Sequence, residues 1–356
     1  MTYLLIILCL IILFSMKFNF AGINEDYISK NSIEPIKGIF LMMVFFTHFV
    51  QYIPTNDIHN QFYMFLRSYH GQLIVAPFLF YSGYGICESI KSKGYNYVKE
   101  LPHKRILKVL FDFDIAVLLF YLLSLYQNHN YSVKKMLLTF LGWDSIGNSN
   151  WYIFAVLFLY LFTYLAFSAF DYRTHINYCL CMVAVLSVLF SATMALYKDG
   201  YWYNTVYCYV AGMIYSAYRP KIEKEIFVSD KTFYIVYLCL CFGFVVSHKY
   251  WNNNDNIYQL TAVLFALLVV LFTAKVKISN KLFAYLGRSL FSLYILQRIP
   301  MQLFKGTAIT NNIYIYFVVC FIITIVIAEM FNRTVNPLWN KLHKTILNLI
   351  GRVYID

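Results

Sequence analysis

Residues 37–48 read KGIFLMMVFFTH: a lysine and a histidine bracket ten residues, eight of them apolar. As an α-helix, the eleven steps from Lys37 to His48 span ~16 Å at 1.5 Å per residue. With Lys37 at a bilayer surface, the imidazole reaches membrane depth, where ionisable side chains are expensive and mark function. The bland alternative is a neutral histidine hydrogen-bonded between helices, with Lys37 snorkelling to the interface.

The rest of the chain has the same character. Of 356 residues, 60% are hydrophobic, 20% aromatic and only 13% charged, whereas soluble domains carry roughly 25% charged residues. Apolar segments fall near 3–16, 38–54, 72–90, 109–127, 150–170, 176–197, 203–218, 232–248, 257–274, 282–303 and 312–332. About 20 apolar residues cross a bilayer as a helix, and the short alternating strands of a membrane barrel are absent. The expected fold is all-α, a polytopic transmembrane helical bundle of about eleven spans, a ten-helix core preceded by one N-terminal helix. The first segment, with no basic region before it and no small-residue cleavage site, reads as a retained helix rather than a signal peptide.

Formal net charge is +12. Assigning Lys and Arg to alternate loops puts 22 of the 29 on one side and 7 on the other. The positive-inside rule makes the rich side cytoplasmic, which places the C-terminus in the cytoplasm of a plasma membrane and the N-terminus outside. The basic charge is therefore a topology signal, and nucleic acid is excluded as a partner. All eight cysteines lie in apolar segments without a C-x-x-C pair, so they read as small hydrophobes, and no metal site is expected. The organisation expected is an N-terminal helix and loop (1–30), one membrane domain (31–340) and a cytoplasmic tail (341–356). SVKKMLLTFLGW (132–143) is too short to span and reads as an interfacial amphipathic helix.

Four further stretches carry polar groups. APFLFYSGYGICES (76–89) sets Pro77, Ser82, Gly83 and Gly85 in an apolar helix, which suits either tight packing or a helix thinned for a ligand. PHKRILK (102–108) places Lys104, Arg105 and Lys108 within about one turn. They suit an anionic lipid surface or capture of a phosphate. NSNWYIFAVLFLY (148–160) brings Asn150, Trp151 and Tyr152 in from the outer face, where aromatic belts are expected. LGRSLFSLYILQRIP (286–300) carries Arg288, Tyr294 and Gln297 on an otherwise apolar span.

Taken in order, these pieces resemble the acyltransferase-3 family of integral membrane acyltransferases over about residues 30–340. Lys37 to His48 has the spacing of that family's basic residue, ten residues, then histidine. FLFYSGYG matches its SGY element, RILK its basic pair, WYI its tryptophan element and LGRSLFSLYIL its penultimate-helix element. Gln297 stands where many members have histidine, Asn336 of VNPLW where they have an acid, and Lys108 where they have arginine. No appended soluble domain accompanies the membrane part, which is then expected to act alone or with a partner. The resemblance implies transfer of an acyl group, usually acetyl, from cytoplasmic acyl-CoA as co-substrate to a hydroxyl of an extracytoplasmic glycan. It implies His48 as general base or acyl carrier with Lys37 beside it. Lys104, Arg105, Lys108, Ser82 and Tyr84 fall on the donor side, and Asn150, Trp151, Tyr152, Tyr294 and Gln297 on the acceptor or structural side. The expected partners are membrane lipid, acyl-CoA and a glycan acceptor, with no bound cofactor.

Two other classes compete. An envelope-glycan carrier or polymerase shares the helix count and aromatic content but calls for large outer loops or several intramembrane charges, and the outer loops here are short. A channel or ion transporter calls for charged side chains along several spans. Beyond His48, Asp112, Asp114 and Arg298, the apolar cores have almost none.

Overall fold

The computed structural model describes residues 1–54 and 60–353, with side chains through residue 345 except that of residue 253. In chain order the elements are α1 (Thr2–Ser15), β1 (Met16–Phe18), α2 (Lys30–Phe49), α3 (Gln61–His70), α4 (Ala76–Lys93), α5 (Tyr95–Leu101) and α6 (Lys108–Tyr126). There follow α7 (Val133–Phe140), α8 (Trp151–Ala169), α9 (Tyr172–Ala195), α10 (Tyr207–Ile226), α11 (Asp230–Tyr250), α12 (Asp255–Lys275) and β2 (Val276–Ile278). The chain closes with α13 (Lys281–Arg288), α14 (Leu290–Leu296), α15 (Arg298–Leu303) and α16 (Ile313–Val353).

Helices occupy all eleven apolar segments. Among the described residues seven are long and apolar enough to cross a membrane: those at 30–52, 73–93, 151–169, 172–195, 230–250, 255–275 and 313–345. The other four depart from simple spans for physical reasons. Helix α1 has only 14 residues; α6 carries Lys108, Asp112 and Asp114, and the last two turns of α10 are highly charged. The expected single span at 282–303 is three short helices, α13 to α15. Pro300 lacks the N–H that would bond the carbonyl of Leu296 and its ring crowds that carbonyl, and the helix is interrupted at Gln297, with a second break at Ser289 (φ −93°, ψ 16°). The interfacial segment forms α7, its start capped by Ser132 accepting from the Lys135 amide at 3.3 Å.

Large apolar side chains stand exposed along one helix after another: Ile235, Leu238, Phe242 and Val245 on α11, Val185 and Leu189 on α9, Ile315, Ile322 and Val326 on α16. Water does not tolerate such continuous apolar faces; hydrocarbon does. The protein is a membrane protein.

The chain forms two compact units. The first comprises 1–50, 54–99 and 161–288; the second comprises 51–53, 100–160 and 289–356. In the first unit two helix pairs meet at glycines. A Cβ on Gly38 of α2 would lie 2.0 Å from the carbonyl oxygen of Phe283 on α13, and one on Gly287 of α13 would lie 1.9 Å from that of Glu34. Likewise Gly83 of α4 faces the Tyr209 oxygen of α10, and Gly212 faces that of Phe80, both at 2.0 Å. Backbones at this distance leave no room for any side chain.

Contacts at helix ends in this unit sort into two sets. One holds the β1–β2 ladder, an unexpected antiparallel pair with Met16 opposite Ile278, together with Asp26–Lys277 at 3.0 Å, Lys275–Asp230 and Arg288–Glu34 at 3.0 Å. The Lys277 ammonium, hydrogen-bonded to Asp26, holds that carboxyl below its usual range. The other set holds the Met1 amino group on Asn60 at 2.8 Å, His248 on the Tyr69 carbonyl at 2.6 Å and Tyr203 on Asp255 at 2.7 Å. The two ends of α1, of α11 and of α12 go to different sets, as in an alternating bundle.

In the second unit, α6 is preceded by a π-helical segment, Pro102–Leu107. Pro102 would break an α-helical ladder here, and a wider turn carries the chain past it. The basic PHKRIL motif is thus the π-helical segment itself.

Candidate active site

Helix α2 starts at Ser29, whose hydroxyl accepts from the Ser32 amide at 3.3 Å. The seal between α2 and α13 fixes its first turns, and buried Glu34 pairs with Arg288. One turn on, the Lys37 ammonium lies 5.8 Å from the centroid of the Tyr81 ring on α4, a cation–π contact. Tyr81 is 2% exposed. His48 lies in the last turn of α2 and is 8% exposed, among Phe45, Phe46 and Phe49. One rigid helix therefore carries both the lysine and the buried imidazole.

Helix α4 supplies the neighbouring wall. Of its two glycines, Gly83 is closed against α10, while a Cβ on Gly85 would meet nothing within 4 Å. The SGYG element thus divides its glycines between packing and open space. Ser82, Gly85 and Ser89 share a face at helical spacing. Tyr84 accepts from Arg219 Nη1 at 3.0 Å; Arg219 also bonds Glu223 at 2.6 Å. Glu223 in turn receives Tyr27 Oη at 2.9 Å, which sits 2.6 Å from Tyr215 Oη. Burial pushes the Tyr27 phenol far above its usual range, so it stays a neutral donor. This network of Tyr84, Arg219, Glu223, Tyr27 and Tyr215 has no signature in the sequence; its members are up to 196 residues apart.

In the second unit, Lys104 and Arg105 are exposed on the π-helical segment, with Lys104 2.8 Å from Glu100. Lys108 differs. Its ammonium donates to both oxygens of Asp112 at 2.6 Å and to Asn336 Oδ1 at 2.9 Å. Asn336, in the position the resemblance gives to an acid, is thus a partner of the basic motif. Nearby Trp339 packs against Phe111 at 5.3 Å and stacks on His343, which faces His103 at 6.0 Å. The basic segment and the VNPLW element form one assembly, which spacing along the chain does not show.

The residues expected on the acceptor or structural side also lie in the second unit. Asn150 donates to the carbonyls of Gly142 and Asp144 at 3.0 and 2.9 Å, tying the preceding loop to the start of α8. Tyr152 meets Trp151 and, edge to face at 5.4 Å, Tyr294. Gln297 is 1% exposed and donates to the Tyr294 carbonyl at 3.0 Å. Among the described residues no group of three His, Cys, Asp or Glu side chains is placed to hold a metal.

A multi-helix membrane fold with a buried histidine and a lysine on one helix places the chain among integral membrane proteins. The family is shown directly: the acyltransferase-3 model, an acyltransferase domain, matches residues 30–331, and the chain belongs to that family. No curated protein and no solved structure matches it.

Proposed function

We propose that this protein moves an acyl group, most simply acetyl, from cytoplasmic acyl-CoA to a hydroxyl of an extracytoplasmic envelope or exopolysaccharide glycan in the plasma membrane. The observation that carries the reading is His48 buried on the same glycine-sealed helix as Lys37, within the matched family region. The set of helix ends holding Lys275, Lys277 and Arg288 is the cation-rich one and is assigned to the cytoplasm. His48, ~16 Å further along α2 than Lys37, lies toward the other face.

The neutral imidazole of His48 accepts the proton of the acceptor hydroxyl as its oxygen attacks the thioester carbonyl carbon. The C–O bond forms, the C–S bond breaks, and the imidazolium returns the proton to the departing CoA thiolate. Lys37 offsets negative charge on the thioester oxygen during attack. Ser82 and the open face at Gly85 receive the acyl-pantetheine arm, with Tyr84 bordering it. Lys104 and Arg105 meet CoA phosphates, while Lys108, engaged by Asp112 and Asn336, holds that segment in shape. Trp151, Tyr152 and Tyr294 line the acceptor side, with Gln297 holding the Tyr294 carbonyl and Asn150 tying the loop before Trp151.

The test is proton NMR of envelope polysaccharide from intact, deleted and His48→Gln strains. Acyl signals are expected to vanish in both altered strains, with glycan chain length unchanged. Retained acylation with shortened or missing glycan overturns the reading in favour of a glycan carrier or polymerase.

A further inference from the structure

The second unit contains a cleft of about 390 Å³, lined by Tyr52, Gln127, His129, Tyr131, Gln302 and Lys305 among others. This falls within the size range of small-molecule sites, but its wall is polar where such sites are usually apolar. Its hydrogen-bonding groups are oriented. Gln302 Nε2 gives its two N–H groups to Tyr52 Oη at 3.3 Å and the Gly147 carbonyl at 2.9 Å. Gln127 Nε2 donates to the Gln302 carbonyl at 3.1 Å. With the amide nitrogens turned to the protein, both side-chain carbonyl oxygens remain as acceptors for the cleft, and Tyr52, itself an acceptor of Gln302, keeps its O–H to donate. Gly147 enforces this arrangement. It has φ +107°, and a Cβ there would lie 2.4 Å from Gln302 Nε2.

The charge is one-sided. Among the described residues no Asp or Glu lines the cleft, while Lys305 and His129 do, and Lys305 has no ion pair. Two fixed acceptors and a hydroxyl donor suit a ligand with several hydroxyls, and the two basic groups suit one with a negative charge. We infer that this cleft binds a hydroxyl-rich glycan bearing an anionic group, a carboxylate or a phosphodiester, and so selects the acceptor. The inference rests on the acyltransferase reading for its place in the reaction and on the topology for its outer location.

The experiment is calorimetric titration of the purified full-length protein in nanodiscs, without acyl donor. The probes are a hexuronate disaccharide, a glycerol-phosphate oligomer and a neutral hexose disaccharide. At least one anionic probe should bind about fivefold tighter than the neutral one, with the margin lost in Lys305→Gln, retained in Lys305→Arg and reduced by 0.5 M salt. Whichever anionic probe binds tighter identifies the charged group. Equal binding of all three probes, no binding, or indifference to Lys305→Gln overturns the inference. Because no turnover is measured, a null here leaves the His48 assay standing, and loss of transfer chemistry leaves this titration readable.

Discussion

The two units hold their functional segments by opposite means. In the first, α2 against α13 and α4 against α10 are closed by backbone contact, with Gly38, Gly287, Gly83 and Gly212 admitting carbonyl oxygens where a side chain would stand. In the second, the basic π-helical segment is held by a lysine, a carboxylate and an amide, and the loop at 142–148 by Asn150 and Gln302. A glycine seal has no rotamer to change, so α2, with Lys37 and His48, stays at a fixed separation from α13, and α4, with Ser82, from α10. A polar staple exchanges partners at a cost near one hydrogen bond, which suits surfaces that meet a ligand.

The contrast can be broken where it is strongest. Gly83→Ala, forcing a methyl onto the Tyr209 carbonyl, should cost about 3 kcal/mol and sharply lower the thermal midpoint in detergent. Gly85→Ala, two residues away in open space, should leave the midpoint unchanged or raise it slightly. Equal effects from the two substitutions would remove the argument for a glycine seal. A smaller loss, about 2 kcal/mol, is expected from Asp112→Ala, which leaves the part-buried Lys108 ammonium with only Asn336; Asp112→Ala with Lys108→Met should recover most of it, as measured by denaturation of the double variant.

The smallest effect concerns pH. Burial holds the His70 imidazole below its ordinary value of 6.5. Its Nδ1 lies 3.1 Å from the Gly71 carbonyl, and its Nε2 is buried with no partner among the described residues. The folded state thus prefers the neutral ring: this stabilisation is present above about pH 6.5 and is lost as the pH falls below it. A thermal midpoint that declines between pH 7 and 5.5, and declines less in His70→Asn, is the expected result.

Hydropathy made most of the helices legible because each apolar stretch carries its own signal. The break at 282–303 was hidden because Pro300 sits in a run apolar enough to pass for one span. The β ladder was invisible because its strands are three residues each and pair across the whole first unit. At the candidate site, Lys37, His48 and the SGYG stretch stood out as polar or small residues in apolar surroundings. Gly287 and Glu34 did not, since their partners are on helices some 250 residues away. Lys108 was legible as a basic residue, but its engagement by Asn336 was not, because the two are 228 residues apart in sequence.

The pairing of α2 with α13 also sets a clock for biosynthesis. Gly38 emerges from the ribosome about 245 residues before Phe283, a delay of roughly 12–50 s at 5–20 residues per second. Throughout that interval the first core helix is in the membrane with its glycine notch uncovered and the Glu34 carboxylate still lacking Arg288. The helix that carries His48 is among the first made and is sealed late, so its assembly waits on most of the chain.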